Sequence, residues 1–140
     1  MLLRSTLDTN VLAAGLNFPG VAYRVLEAAR EGNFALQLSK PILDETVRIL
    51  QERFQWDEVR TRNAGALLSS FSQQVVAHVE LDVVKRDPDD NRVLECAQAS
   101  RSDYIVTWDK DLLDLKRYAG ADILNPQRFL SLLRERGRSL

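Results

Sequence analysis

Four carboxylates carry the chemical content of this 140-residue chain: Asp8, Glu45, Asp90 and Asp109. Other catalytic side chains are scarce. The single histidine, His78, and the single cysteine, Cys96, exclude a multi-histidine zinc site, a cysteine cluster and an intrachain disulfide. Without a histidine placed to activate it, Cys96 reads as core, and His78 reads as structural.

Clustered carboxylates repel one another, and a divalent cation relieves the repulsion. An all-oxygen donor set selects Mg2+ or Mn2+ over zinc. Such cations serve phosphodiester hydrolysis by activating water and stabilising the leaving oxygen, with no need of a histidine base. Thr9, Asn10 and Thr107 offer neutral oxygens for the same purpose.

Each acid also has a plainer use. Asp8 and Asp109 follow apolar runs, where aspartate caps helices or makes turns, worth about 1 kcal/mol. Glu45 in an early helical turn gains about 0.3–1 kcal/mol from the dipole. Asp90 is more informative. Val93, Leu94 and Ala97 follow it at i+3, i+4 and i+7, which at about 100° per residue puts its carboxylate on the buried side of a helix. A buried carboxylate needs a positive partner, either an arginine or a cation. Asp89, about 100° around the same helix, reads as its cap.

The elements that must position these acids are legible from periodicity. Residues 3–7 form a short, apolar-leaning run that stops at Asp8-Thr9-Asn10 and reads as a buried strand. Residues 11–30 are helical, with Pro19-Gly20 as a break and Gly32-Asn33 as the close. Residues 34–38 read as a second strand. Ser39 caps a helix with Pro41 in its first turn and a stripe of Leu43, Val47, Leu50 and Phe54. Asp57 opens another, to about Ser70 through Val59, Leu67 and Leu68. Residues 75–81 are strand-like, Asp87-Pro88 starts a helix through Ala99, and residues 104–107 form a β-branched strand. A helix from Asp109 to about Tyr118, a short strand at Ile123-Leu124 and a helix capped by Asn125-Pro126 complete the chain.

Strands alternating with helices predict one α/β domain over residues 1–140, a parallel sheet with helices on both faces. Ligands in such sheets bind beyond the carboxyl ends of the strands, where the strand order reverses. Asp8 and Asp109 follow strands directly, and Glu45 and Asp90 reach the same edge from helices. Composition sets the outer bounds. With 19 basic and 20 acidic residues the net charge is −1, which excludes a strongly basic coat for gripping nucleic acid. Of the basic residues 15 are arginine, whose planar fork suits phosphate. No apolar run reaches the roughly 18–20 residues of a membrane span, and Met1-Leu2-Leu3-Arg4 does not begin a secretory leader. The expectation is a cytoplasmic protein.

Four segments in order, Leu7-Asp8-Thr9-Asn10-Val11-Leu12, Ile42-Leu43-Asp44-Glu45, Asp87-Pro88-Asp89-Asp90-Asn91-Arg92 and Ile105-Val106-Thr107-Trp108-Asp109-Lys110-Asp111-Leu112, resemble those of PIN-domain nucleases. The nearest group is the VapC-related toxins of type II toxin–antitoxin systems. The resemblance implies a three-layer α/β/α sandwich with a central parallel sheet in strand order 3-2-1-4-5. It also implies a Mg2+- or Mn2+-dependent endoribonuclease whose family acids fall on Asp8, Glu45, Asp90 and Asp109, with Asp111 as an accessory. The implied partners are an RNA substrate, a cognate antitoxin and a second copy in a homodimer. The same pattern suits a housekeeping RNase or a catalytically silent PIN-like binding module. Two other α/β classes fit less well. A receiver-like phosphoacceptor needs an acidic pair after the first strand and a lysine after the last, where Asp8-Thr9-Asn10 and Asn125-Pro126 stand. A haloacid-dehalogenase-like phosphatase needs Asp at position 10, which is Asn.

Overall fold

The structure, a computed structural model, describes residues 2–137. β1 (Arg4–Leu7) leads through α1 (Thr9–Asn17) and α2 (Val21–Arg30) to β2 (Ala35–Ser39). Then come α3 (Lys40–Glu52), α4 (Glu58–Ser70), β3 (Ser72–Val75) and α5 (Pro88–Ser100). β4 (Tyr104–Val106), α6 (Lys110–Leu113), β5 (Arg117–Tyr118), β6 (Ala121–Leu124) and α7 (Pro126–Glu135) finish the fold.

The sheet order is β3-β2-β1-β4-β6-β5, all parallel except the β5–β6 hairpin. The expected five-strand order is present with β6 in the fifth place, and β5 is an added edge strand. β5 occupies residues assigned above to a helix running to Tyr118. That helix ends at Leu113, and Ala119 (φ 48°) and Gly120 (φ 86°) then form the tight turn that returns the chain along β6.

The third strand is also displaced. It lies at Ser72–Val75, and residues 76–87 have no ladder. Side chains of α5 hold that stretch instead. Asn91 Oδ1 accepts from the amides of Val83 and Val84, its Nδ2 donates to the Val84 carbonyl, and Glu95 Oε2 accepts from the Leu81 amide, all at 2.8 Å. Buried amides must be satisfied somewhere, and here they are satisfied without a strand.

Helix ends follow their local chemistry. Ser39, Asp57 and Asn125 accept from the amides of Ile42, Arg60 and Arg128. The buried face of α3 is Ile42, Thr46, Ile49 and Leu50, and Phe54 beyond the helix end is exposed. In α4 Thr61, Ala64 and Leu68 are buried, whereas Val59 and Leu67 face out. The main core spans both ends of the chain, with Phe34 and Phe129 in edge-to-face contact at 5.0 Å. Gly15 is required where α1 meets α2: a Cβ there would sit 2.6 Å from Leu26 Cδ1 and 2.9 Å from the Ala22 carbonyl oxygen.

Candidate metal centre

Reversal of strand order places the site. From β1 the chain moves outward to β2 and β3, then returns to lay β4 on the other side of β1. Leu7 therefore pairs with Val106, and the residues just beyond them, Asp8 and Thr107, emerge together. The Asp8 amide donates to the Val106 carbonyl at 2.9 Å. This is the crevice expected to receive ligands in an open α/β sheet.

Thr107 ties two acids together. Its fully buried hydroxyl donates to Asp8 Oδ2 at 2.7 Å and accepts from the Asp109 amide at 2.9 Å. Asp8 is the N-cap residue of α1, yet its side chain makes no capping bond, so the carboxylate stays directed toward Thr107. Asp109 caps α6, its Oδ1 accepting from the amides of Asp111 (2.8 Å) and Leu112 (3.3 Å).

The third acid enters from α5. Asp87 caps that helix through Oδ1 and the Asp89 amide, Pro88 occupies its first position, and Asp90 is 4% exposed. Oxygens of Asp87, Asp90 and Asp109 lie within 4.8 Å of one another. Asp90 Oδ2 is buried with no hydrogen-bond partner, the one carboxylate oxygen in that condition among the described residues. Burial, then the charges of Asp109, Asp8 and Asp87, push the Asp90 carboxyl up to about 8. Burial also raises Asp8, against the opposing hydrogen bonds from the Thr107 hydroxyl and the Thr9 amide.

Glu45 stands at the rim. It bonds to Arg48 one turn along α3, and the same guanidinium lies 3.8 Å from Asp89. Partial burial and the charge of Asp89 raise the Glu45 carboxyl despite Arg48. Asp111 faces Arg86 at 3.9 Å. Thr9 is buried and Asn10 is exposed.

Several expectations are corrected here. Asp87 caps α5, whereas Asp89 is exposed and reaches Arg48. No arginine or lysine pairs with Asp8, Asp87, Asp90 or Asp109 among the described residues. Asp87 itself was absent from the candidate acids; its signal was a third carboxylate within four residues, beside a helix-starting proline. His78 is exposed in the irregular stretch, not in a strand. Cys96 is fully buried, and burial pushes its thiol up to about 11.

The donor set fits a hard divalent cation. Its side chains are oxygen donors only, and its central acid has one buried oxygen without a hydrogen-bond partner and no basic partner among the described residues. A structural ion pair would have supplied an arginine. This site leaves the charge uncompensated by protein.

Comparison with known proteins agrees with the topology. The solved structure of PAE2754 from Pyrobaculum aerophilum superposes with a TM-score of 0.66 at 16% identity, covering 95% of this chain and 90% of that one. The structure of VapBC2 from Rickettsia felis bound to a DNA fragment from their promoter gives 0.62 at 16% identity, covering 88% of this chain and 98% of that one. No curated protein matches by sequence. The PIN domain family matches residues 4–111, a span that contains Asp8, Glu45, Asp87, Asp90 and Asp109, and the chain belongs to that family.

Proposed function

We propose that this protein is a Mg2+- or Mn2+-dependent endoribonuclease that hydrolyses RNA phosphodiester bonds, and that it is the toxin of a type II toxin–antitoxin pair. The observation that carries the reading is Asp90: a buried carboxylate oxygen without a partner, within 4.8 Å of oxygens from Asp87 and Asp109. PIN domains are generally nucleases, which supports the reaction class. The similarity to VapBC2, whose structure was solved on promoter DNA, supports an antitoxin partner.

Asp90, Asp109 and Asp87 would hold the cation, with Asp8 beside them on the Thr107 hydroxyl and Glu45 at the rim as further carboxylate ligands. When bound, the cation supplies activation of water and stabilisation of charge on the leaving oxygen. The chain's own contribution is preorganisation. Thr107 fixes the Asp8 carboxylate and the Asp109 backbone with one hydroxyl. The α6 amides fix the Asp109 side chain, and α5 packing fixes Asp90. Glu45 is bonded to Arg48, whose guanidinium also lies beside Asp89, and it is the fourth acid of the proposed site. Thr9, Asn10 and Asp111 lie beside the principal acids as accessories.

The test is cleavage of a mixed structured RNA pool by the parent and by Asp8→Asn, each with Mg2+, Mn2+ or EDTA. Metal-dependent cutting by the parent alone is expected. Equal cutting by a folded Asp8→Asn protein would refute the site. Expression in bacterial cells tests the toxin role: growth arrest by the parent and none by Asp90→Asn is the expected pair of results.

A further inference from the structure

An RNA-cutting site made of carboxylates must also attract a polyanion, and the ion pairs around it are unevenly distributed. Among the described residues, basic side chains reach only the outer acids: Arg48 takes Glu45 and Asp89, and Arg86 takes Asp111. Of these Arg86 is the less committed. Its Nε stands 3.9 Å from Asp111 Oδ2 and its side chain is 84% exposed, whereas its neighbour Lys85 is held by Asp82. It directly precedes Asp87, which belongs to the acid cluster.

The backbone that carries Arg86 is firmly held although it belongs to no strand. Asn91, 2% exposed and adjacent to Asp90 in α5, makes three 2.8 Å hydrogen bonds to the backbone of Val83 and Val84. Arg92 donates to the Leu81 carbonyl at 3.1 Å, and Glu95 accepts from the Leu81 amide. Val83, Val84, Lys85 and Arg86 form one wall of a shallow depression whose other wall is Asp111 and Leu115. One helix thus supplies Asp90 to the acid cluster and staples the strap bearing Arg86 beside it.

We propose that Arg86 grips a backbone phosphate of the bound RNA, and that Asn91 is the positioning residue that holds it there. This rests on the endoribonuclease reading. A guanidinium already poised against a carboxylate exchanges that loose contact for a bidentate phosphate contact. Because its tether is pinned at Val84, two residues away, little backbone freedom is lost on binding.

The test uses Asp109→Asn protein, which keeps a good α6 cap and is expected not to cut, with labelled single-stranded RNA in Mg2+ across a salt series. Adding Arg86→Gln is expected to weaken binding roughly tenfold at low salt and to make the log–log salt dependence shallower by about 0.7. Asn91→Ala is expected to reproduce the shallower slope. Arg24→Gln, at an exposed arginine on α2 beside Leu130 and Arg134, should leave the slope unchanged. An unchanged slope in Arg86→Gln, or an equal change in Arg24→Gln, overturns the phosphate contact while leaving the nuclease reading intact. Absence of RNA binding by the Asp109→Asn parent overturns both.

Discussion

Replacing Asp90 with asparagine should make the metal-free protein more stable at alkaline pH. Burial and three neighbouring acids raise the Asp90 carboxyl from an ordinary 3.8 to about 8. An acid raised on folding binds its proton more tightly in the native state. Its contribution is therefore complete below about pH 4 and is lost as pH rises through about 8. Each pH unit in that window is worth up to about 1.4 kcal/mol, and with a discount for solvent screening at the open side of the cluster we expect a loss of about 2–4 kcal/mol between about pH 5 and pH 8.5. Asp90→Asn removes the ionisation and keeps the shape, so its profile should be flatter by a similar amount. Urea unfolding in EDTA at a series of pH values measures both. Saturating Mn2+ at about 100 times its Kd should return about 2.7 kcal/mol to the parent and little to the variant. A parent whose stability holds steady or rises from pH 5 to 8.5, or a variant no more stable than the parent at the alkaline end, would refute the reasoning.

Other outcomes follow from single contacts. Thr107→Val strips the hydroxyl that joins Asp8 to the Asp109 amide, and should cost about 1–3 kcal/mol in thermal unfolding and about tenfold or more in Mn2+ affinity by calorimetry. Gly15→Ala drives a methyl against Leu26 and the Ala22 carbonyl, so despite better helix propensity it should destabilise by about 1–2 kcal/mol in urea titrations. Cys96, its thiol pushed up to about 11 by burial, should resist alkylation by iodoacetamide in the native state near pH 8 and react fully in denaturant, as read by intact mass.

The parts of this fold that the sequence announced are those where burial and local chemistry agree. β2 and β4 are buried strands of a parallel sheet and appear as short apolar-rich runs, and β1 between them buries Ser5 and Thr6 beside Leu7; α3, α4 and α7 carry capping residues that the structure uses as such. β3, an edge strand, precedes the strand-like run at residues 75–81 by a few residues. Ser72, Gln73 and Gln74 look like a loop, while Val76 and Val79, which mimic strand alternation, are exposed. Residues 76–87 owe their path to Asn91 and Glu95 in a later helix, a tertiary arrangement that no local pattern encodes. The hairpin of β5 and β6 escaped because a two-residue strand leaves no periodicity.

The candidate site divides the same way. Asp8 and Asp109 lie where strand ends put them, and the burial of Asp90 follows from the apolar residues around it on α5. Glu45 reaches the rim beside Asp89, which its position on an amphipathic helix foreshadows. Asp87 was hidden by its second role. A residue that caps a helix has a sufficient local explanation, and only its proximity to Asp90 and Asp109 reveals another use.

The central claim is that these acids hold a divalent cation, and anomalous diffraction from crystals grown with Mn2+ tests it most directly. The account predicts a strong peak bonded to an Asp90 oxygen at about 2.1 Å and shared with Asp109 and with Asp8 or Asp87, absent from Asp90→Asn crystals. An empty cluster in Mn2+-saturated crystals, or a peak confined to Glu45 and Asp89, would contradict it.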